Sequence, residues 1–576
     1  MTGVDWIISG KKFKPGQITD PDGRYFCSFG DQVSITAGES AVILNGYILP
    51  RLDCPEEFAG FRGEDLVRNL MRKSGEEFIH LVKGNFTLLL LRDSGFIIYS
   101  DIHGMGRFFF WESGDDFVIS NRIETVRAYC NAVPDYENMA LYCLAEHFVM
   151  DLTAFRGVKQ SMPASRITYD GKLKKSSYWE PAALFTSRRE KHETEYYADR
   201  WARIIKGYVS EPGLNTTLTL TGGSDSRLVL AGLMKSGAQV RTFTYGDPQS
   251  ADAVVAKRVA GRLGLDHAIH QEDSPSPEWL GNRWSGIISI GNTLVNLHRA
   301  HRYHAAEEER KRNPEANVLF TGLMGGEYLR GPEYDGYIIS EYFRKVNHGS
   351  PSDRIKKAKE MLSARSVETG ILDADLLSEK LEQISTPFLR QDKEKEFLLS
   401  FYIYGCAHHY QDSLIYSSQF RQVVNPFMDP DFLEMAAASD YISFNRSNGF
   451  FNLLWASLFQ VWLTHLLLPE LSDIPYNKRG FYTAKDVTGN RLRYLIGRAA
   501  GIRKRHSFPP NFSYGDWMKD FAASQLSALS PVIAPLFKVD DITRRLQQVT
   551  TTLNEQEWHY YTNPLNLGKI FTNEKA

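Results

Sequence analysis

The chain has 576 residues, of which 43% are hydrophobic and 24% charged, and its formal net charge is −2. This length exceeds what one hydrophobic core normally holds, so two or three domains are expected. The neutral charge balance argues against nucleic-acid binding. No stretch is long and apolar enough for a membrane span. The five cysteines form no C-x-x-C pair, which argues against a zinc site or a disulfide framework.

The N-terminal third of the chain is rich in short strand signals. Residues 1–5 lack the basic segment and apolar run of a signal peptide, so a cytoplasmic protein is expected. Alternating apolar runs, such as residues 86–91 and 96–99, are separated by turn residues, and helix signals intervene near 65–73 and 136–148. The pattern predicts a β-rich domain.

After Pro181 the pattern changes to alternating strands and helices. A polar helix is predicted at 193–208, and the chain is mostly helical from about residue 350. Between them, strands are predicted at 216–220, 239–245 and 317–320, and helices at 228–235 and 251–263. Such alternation is typical of a parallel sheet with helices on its faces.

The most informative segment is the loop between the first of these strands and its helix. Residues 221–227 read Thr-Gly-Gly-Ser-Asp-Ser-Arg. The glycines allow the backbone to approach an anion, and the N–H groups of the first helical turn point at it. An ordinary turn with an N-cap is the alternative interpretation. The strand before the loop and the helix after it favour a nucleotide site.

Several segments around this loop carry a resemblance to a known family. Residues 83–90 read Lys-Gly-Asn-Phe-Thr-Leu-Leu-Leu, residues 100–111 form a Ser-Asp-Ile-His-Gly turn followed by an aromatic strand, and residues 426–429 read Pro-Phe-Met-Asp. In their order and spacing these segments resemble the asparagine synthetase family, over nearly the whole chain. Residues 221–226 match the pyrophosphate loop of enzymes that cleave ATP between the α- and β-phosphates.

The resemblance implies an α/β protein of two domains. Residues 1–184 are expected to form an α+β sandwich of the Ntn-hydrolase type, the fold of class II glutamine amidotransferases, in a degenerate form. Residues 185–576 are expected to form a parallel-sheet pyrophosphate-loop synthetase domain with a helical C-terminal part. ATP and Mg²⁺ are the cofactors that this family implies.

Departures from the family pattern concern glutamine. The family hydrolyses it with an N-terminal cysteine exposed after removal of Met1. Here position 2 is Thr2, the nearest cysteine is Cys27, and the family's Asn-Gly-Glu-Ile-Tyr-Asn segment reads Asn-Gly-Tyr-Ile-Leu-Pro at 45–50. Threonine is an N-terminal nucleophile in other enzymes, so Thr2 stays an alternative. We expect no glutamine hydrolysis, a loss also found in β-lactam synthetase and lasso-peptide cyclases.

The resemblance also implies the residues of the synthetase site. Adenylation of a carboxylate needs N–H donors for the triphosphate and Mg²⁺ between the phosphates. Asp225 is the expected Mg²⁺ ligand. Glu327 is predicted as a second metal ligand and a catalytic residue, because the family's aspartate is replaced by Gly326; a helix cap is the alternative role for Glu327. The predicted ATP-binding residues are Leu220, Thr221, Gly222, Gly223, Ser224, Asp225, Ser226, Phe243, Thr244, Thr321 and Gly322.

Two basic residues complete the predicted catalytic set. Lys478 occupies the place of the family lysine that stabilises charge on phosphate, with Arg479 as the rival and a solvated basic pair as the alternative. Arg227 replaces the second serine of the usual loop. It is predicted to contact the acceptor, a phosphate or a carboxylate, and a salt bridge on the helix surface is the alternative.

The histidines invite a metal interpretation, since His298, His301 and His304 are spaced three apart and His408 is followed by His409. No cysteine and no convincing carboxylate partner accompanies them at ligand spacing, so a substrate pocket or a polar helix face is the expected role.

These features predict an ATP-dependent, AMP-forming amide-bond synthetase that joins a small-molecule or peptide carboxylate to an amine without glutamine. Surface-polysaccharide and natural-product biosynthesis are the expected contexts. An intramolecular cyclase of the lasso-peptide or β-lactam type stays open, and so does a catalytically silent scaffold, because Leu323 and Gly326 remove two polar groups of the family. Neither a nucleic-acid nor a membrane partner is expected, and a homodimer stays open.

Overall fold

The computed structural model describes residues 5–12, 18–19, 25–29, 41–92, 95–190, 192–270, 277–290, 295–331, 342–343, 349–445, 458–477, 483–489, 516–549, 553 and 555–571. Within these ranges, no helix is both long and apolar enough to cross a membrane.

The N-terminal region consists of two antiparallel sheets with helices outside them. One sheet has the strand order β11-β9-β10-β1-β3-β2, the other has the order β13-β12-β8-β7-β4, and β5 pairs with β6. The elements are β1 (Trp6–Ser9), β2 (Ile18–Thr19), β3 (Phe26–Phe29), β4 (Ala41–Gly46), β5 (Leu49–Pro50), α1 (Gly63–Ser74), β6 (Val82–Lys83), β7 (Phe86–Arg92), β8 (Gly95–Ser100), β9 (Phe109–Ser113), β10 (Asp116–Ser120), α2 (Ile123–Cys130), α3 (Tyr136–Ala145), β11 (Lys159–Gln160), β12 (Ser165–Tyr169) and β13 (Leu173–Ser177).

Alternation along β7 shows how the layers form. Leu89 belongs to the core between the two sheets, whereas Leu88 belongs to the core that includes Leu66 of α1. On the far side, Val118 of β10 shares a core with Val126 of α2. Because successive side chains of a strand point to opposite faces, this pattern gives four layers, helix on sheet on sheet on helix. The predicted α+β sandwich is confirmed.

The second region contains a five-stranded sheet in which each neighbouring pair is parallel, with the order β16-β15-β14-β17-β18. Its strands are β14 (Thr216–Thr219), β15 (Val240–Tyr245), β16 (His267–His270), β17 (Val318–Phe320) and β18 (Gln422–Val424). The chain builds the sheet from β14 through β15 to β16, then places β17 on the other side of β14. The crevice between β14 and β17 is therefore a topological switch point, where open α/β sheets bind ligands.

Helices surround this sheet and form the C-terminal part. They are α4 (Thr194–Val209), α5 (Ser224–Lys235), α6 (Ala251–Leu263), α7 (Pro277–Ile290), α8 (Ala300–Arg312), α9 (Gly325–Arg330), α10 (Pro351–Ala364), α11 (Ala374–Ser385), α12 (Asp392–Leu399), a π-helical segment (Ser400–His408), α13 (His409–Ser417), α14 (Pro430–Ala438), α15 (Phe459–Leu467), α16 (Ala484–Gly489), α17 (Asp516–Ser527), α18 (Val539–Gln548) and α19 (Glu555–Ile570).

The two regions meet through a buried ionic cluster. The Lys83 ammonium lies 2.7 Å from Asp429 and 3.0 Å from Asp431, and all three side chains are at most 1% exposed. Arg51 adds a second cation at 3.0 Å from Asp431. Asp429 also caps α14 by accepting from the Asp431 N–H. The Pro-Phe-Met-Asp segment thus joins the sandwich to the parallel sheet, while the predicted boundary between residues 184 and 185 stays a prediction.

Candidate functional site

The phosphate-loop candidate lies at the carboxyl edge of β14, at the start of α5. Gly223 is the N-cap of α5 and offers no side chain to the first turn. The Gly222 N–H donates to Asp252 at 2.9 Å, and the hydroxyls of Thr221 and Ser226 are 3.0 Å apart. These bonds fix the loop while α5 presents an N-terminus without a side-chain cap, which is a site that favours anions.

The loop after β17 packs directly on the first loop. A Cβ atom at Gly322 would lie 2.6 Å from the Ser226 nitrogen, and one at Gly325 would lie 3.0 Å from the Asp225 carboxyl carbon. Only glycine permits so close an approach. Between the loops, the Gln460 amide donates to Asp225 at 2.9 Å and to the Gly325 carbonyl at 3.2 Å. The structure therefore brings Asp225 to the beginning of the helix that carries Glu327.

A third segment, residues 474–477, is held against the first loop. The Asn477 N–H donates to the Gly222 carbonyl at 3.0 Å. Arg227 is completely buried, donates to the carbonyls of Ile474 and Pro475, and lies 4.0 Å from the Tyr476 ring centroid. Arg227 is therefore not a helix-surface residue; it anchors this segment. A direct catalytic role for Arg227 stays a prediction.

The predicted catalytic Lys478 and its rival Arg479 lie outside the described residues. The described chain ends at Asn477 on this side, in hydrogen-bond contact with the phosphate-loop candidate.

The remaining predicted nucleotide residues frame the edge of the sheet. Phe243 is completely buried, the Thr244 hydroxyl donates to the Leu220 carbonyl at 2.5 Å, and the Thr321 hydroxyl bonds to Asn425. These side chains support the crevice from within the sheet. Their predicted contacts with ATP stay predictions.

Glu327, His409 and Asp412 form a row of ionisable side chains. The Glu327 carboxylate lies 3.9 Å from His409, which lies 3.6 Å from Asp412. Burial raises the pKa of Glu327, but His409 and Arg330 outweigh it and lower the pKa to about 2. Met324, the N-cap of α9, makes no side-chain cap bond. Glu327 is thus an anion at neutral pH that faces a histidine.

Sequence reasoning missed Asp412, Gln460 and Asp252 as members of this site, and it named His409 only as part of a substrate pocket or a polar helix face. The spacing of three between His409 and Asp412 on α13 was a usable signal, since residues three apart share a helix face. Gln460 had no signal, because its position between the loops depends on α15 packing against α5.

Of the features that concern glutamine, the structure describes Cys27 and the altered segment at residues 45–50. Cys27 is buried in the core between the two sheets of the sandwich, and Thr2 lies outside the described residues. In the altered segment, the Tyr47 hydroxyl donates to the Val423 carbonyl of β18 at 3.0 Å. This segment forms part of the contact between the two regions.

A cavity of about 570 Å³ lies away from the two glycine loops. It opens between the sandwich and the helical part, where Arg166, Arg390 and Tyr402 line it. None of its lining residues belongs to the two glycine loops. The candidate site is therefore identified by its backbone N–H donors and its carboxylates, and not by the volume of a cavity.

Comparison with known proteins gives a match in the part of the chain that carries the candidate site. Residues 214–402 match the family model described as asparagine synthase. The chain matches no curated protein sequence.

Solved structures give fainter likenesses. An NH3-dependent NAD synthetase from Campylobacter jejuni, in complex with a nitrate ion, is 17% identical with a TM-score of 0.19, over 34% of this chain and 94% of that chain. A glutamine phosphoribosylpyrophosphate amidotransferase from B. subtilis, complexed with ADP and GMP, is 8% identical with a TM-score of 0.21, over 46% of this chain and 85% of that chain. At such TM-scores these likenesses carry no argument. The asparagine synthase match over residues 214–402 includes both glycine loops of the candidate site.

Proposed function

We propose that this protein is an ATP-dependent, AMP-forming amide-bond synthetase that activates a carboxylate and passes the acyl group to an amine without glutamine. The observation that carries the proposal is the junction of three segments at one switch point. The uncapped start of α5, the loop that leads to Glu327 and the segment that leads to Lys478 all meet around Gly222 and Asp225.

The residues present fit a nucleotide triphosphate with Mg²⁺. The N-terminus of α5 has no side-chain cap, so its N–H groups suit phosphate oxygens. Asp225 and Glu327 would hold the metal, since carboxylate oxygens are the ligands Mg²⁺ prefers and Glu327 is ionised at neutral pH. When bound, Mg²⁺ supplies positive charge that offsets the charge of the phosphates.

In this proposal the substrate carboxylate attacks the α-phosphate, the bond between the α- and β-phosphates breaks, and pyrophosphate leaves. The amine then attacks the acyl carbon, and AMP leaves. In this proposal Lys478 stabilises the negative charge that grows on the phosphate oxygens. Arg227 acts as a positioning residue, because its bonds to Ile474 and Pro475 hold the segment that ends at Lys478.

The amine does not come from glutamine in this proposal. Cys27 lies in an apolar core, where no substrate reaches it, and Tyr47 is engaged with Val423. The sandwich then serves as a scaffold for the synthetase region. Intramolecular cyclisation and a catalytically silent scaffold remain the alternatives, and each predicts a different outcome below.

The test is exchange of labelled pyrophosphate into ATP with a panel of small-molecule and peptide carboxylates, with Asp225→Asn as the matched control. We expect exchange that depends on one carboxylate class, and AMP release once an amine is added. AMP release without an added amine would identify a cyclase. No exchange with any carboxylate, together with no ATP binding by calorimetry, would support the scaffold and overturn the proposal.

A further inference from the structure

A buried set of metal-type ligands lies away from the candidate nucleotide site. Glu146 follows α3, His408 ends the π-helical segment, and His559 lies on α19. One potential ligand atom of each lies within 4.8 Å of the others, and the three residues are 4%, 6% and 1% exposed. Three segments that are distant in the chain thus converge on one point in the interior.

The ring nitrogens of His559 lack a hydrogen-bond partner of good geometry within the described residues. His559 Nε2 lies 2.9 Å from Glu146 Oε2, yet neither nitrogen of His559 makes a hydrogen bond of good geometry within the described part of the chain. The same holds for both nitrogens of His147, which is 3% exposed and close enough to His559 to interact electrostatically. A buried polar nitrogen without a partner is destabilising. A metal ion would accept the one lone pair that the neutral His559 ring offers.

The backbone is also held in an unfavourable state at this point. Glu146 has φ of 66°, in the left-handed region that residues other than glycine seldom adopt. This conformation ends α3 and places the Glu146 carboxylate beside His559. Strained backbone of this kind is concentrated at sites of function.

We propose that Glu146, His408 and His559 form a binding site for a divalent transition metal, with zinc as the best match. Imidazole nitrogen and carboxylate oxygen together are typical zinc ligands. Bonds of ~2.1 Å in tetrahedral geometry place ligand atoms roughly 3.4 Å apart, a separation compatible with ligand atoms that all lie within 4.8 Å of one another. The ion would tie α3, the π-helical segment and α19 together, independently of the proposed catalysis.

Arg299 is the competitor for this ion. Its guanidinium contacts His408 at 2.9 Å and also pairs with Asp412 at 2.6 Å. Asp412 additionally pairs with Arg302. A metal ion would take the lone pair of His408 that now faces Arg299, and Arg299 would keep Asp412, which balances its charge.

The experiment is elemental analysis of the full chain, purified without chelator from zinc-supplemented medium and freed of any affinity tag. We expect about one zinc ion per chain. Removal with dipicolinate should lower the melting temperature, and Co²⁺ added to the apoprotein should give visible d–d absorption bands. Wild-type protein with less than ~0.1 transition-metal ion per chain and no Co²⁺ bands would overturn the proposal.

Three variants locate the ion. His559→Ala and Glu146→Gln should each lose at least about tenfold in bound metal. His304→Ala is the matched control, because that ring packs on Trp279. Metal bound equally by His559→Ala, Glu146→Gln and the control would place the ion elsewhere and reject the assignment. If the ligand variants fail to fold, the wild-type metal content and Co²⁺ spectrum still decide.

Discussion

The sandwich and the parallel-sheet region use their polar groups differently. In the sandwich, the buried Asp101 carboxylate accepts from the N–H groups of Phe86, His103, Met105 and Gly106. Lys83 is enclosed between two aspartates. At the carboxyl edge of β14, by contrast, Asp225 is half-buried and the start of α5 has no side-chain cap.

This difference distinguishes polar groups that stabilise the fold from polar groups that can bind a ligand. Groups that are fully satisfied and buried stabilise one arrangement of the chain, because removing one partner leaves an uncompensated charge or donor. Groups that retain binding capacity at a switch point can serve a ligand. Substitutions in the sandwich should therefore change stability, and substitutions around β14 should change turnover.

The largest effect on turnover is expected for Asp225→Asn. The change removes the negative charge opposite pyrophosphate with almost no change in volume, so adenylate formation should fall by about 10³-fold or more, equivalent to roughly 4 kcal/mol. Pyrophosphate exchange measures this loss, and circular dichroism checks that the fold is intact. Activity within ~3-fold of wild type would remove Asp225 from the site.

In the sandwich, Lys83→Met should lower the free energy of unfolding by about 3–5 kcal/mol, because it leaves two buried aspartates without their ammonium. Turnover per folded molecule should change little. Urea denaturation followed by fluorescence measures the effect. The matched control is Lys174→Met, whose ion pair with Asp170 is exposed and should matter much less. Equal losses in both variants would contradict a structural role for the buried cluster.

Lys478→Met deletes the charge and keeps the apolar stem. We expect turnover to fall by at least ~10²-fold while ATP affinity changes much less, since the ammonium acts mainly in the transition state. Lys478→Arg should restore little, because the guanidinium spreads its charge over a plane. Steady-state kinetics with ATP titration measure both quantities. If Arg479→Met is the inactive variant instead, the role passes to Arg479.

The buried ion pairs of Asp412 with Arg299 and Arg302 should make the stability depend on pH. Burial raises the pKa of Asp412, but Arg299 and Arg302 outweigh it and hold that pKa well below its usual range. A carboxyl with a lowered folded pKa contributes stability above its unfolded pKa of ~3.9, and this contribution is lost as the pH falls below that value. Melting temperatures between pH 7 and pH 3 should therefore fall more steeply for wild type than for Asp412→Asn. If the melting temperatures of the two proteins fall equally with pH, the lowered pKa of Asp412 is contradicted.

The smallest effect is expected for Cys27→Ser. Because Cys27 lies in the core between the sheets, synthetase turnover should stay within about 2-fold of wild type once the protein is folded. No glutamate should be released from glutamine, and an inhibitor that alkylates N-terminal cysteines should have no effect. Glutamate release in proportion to AMP would reverse the interpretation of the sandwich.

The local pattern of apolar and polar residues predicted several helices and strands of the fold. The helix predicted at 251–263 is α6 with the same bounds, and the one predicted at 65–73 is α1, which extends to 63–74. Strong periodicity makes such elements visible. Strands β16 and β18 were missed, although the equally short β14 and β17 were predicted, because glycine loops follow β14 and β17 and mark where they end.

The start of α5 shows the limit of periodicity. The sequence predicted a helix from Leu228, whereas the structure begins it at Ser224. Residues Ser224, Asp225 and Ser226 break the apolar pattern, yet such residues are favourable in a first turn because their side chains interact with the helix N-terminus. The predicted loop and the helix therefore share residues, which is what directs the N–H groups of the first turn into the crevice.

The sequence by itself determined the phosphate-loop candidate and the alternation of strands and helices, because both depend on residues adjacent in the chain. Only the tertiary structure placed Gln460 between the two loops, used Arg227 to anchor residues 474–477, and brought Glu146 to His408 and His559. Each of these contacts joins residues more than 100 positions apart. Such contacts follow from how helices pack on a sheet, and no local pattern records that packing.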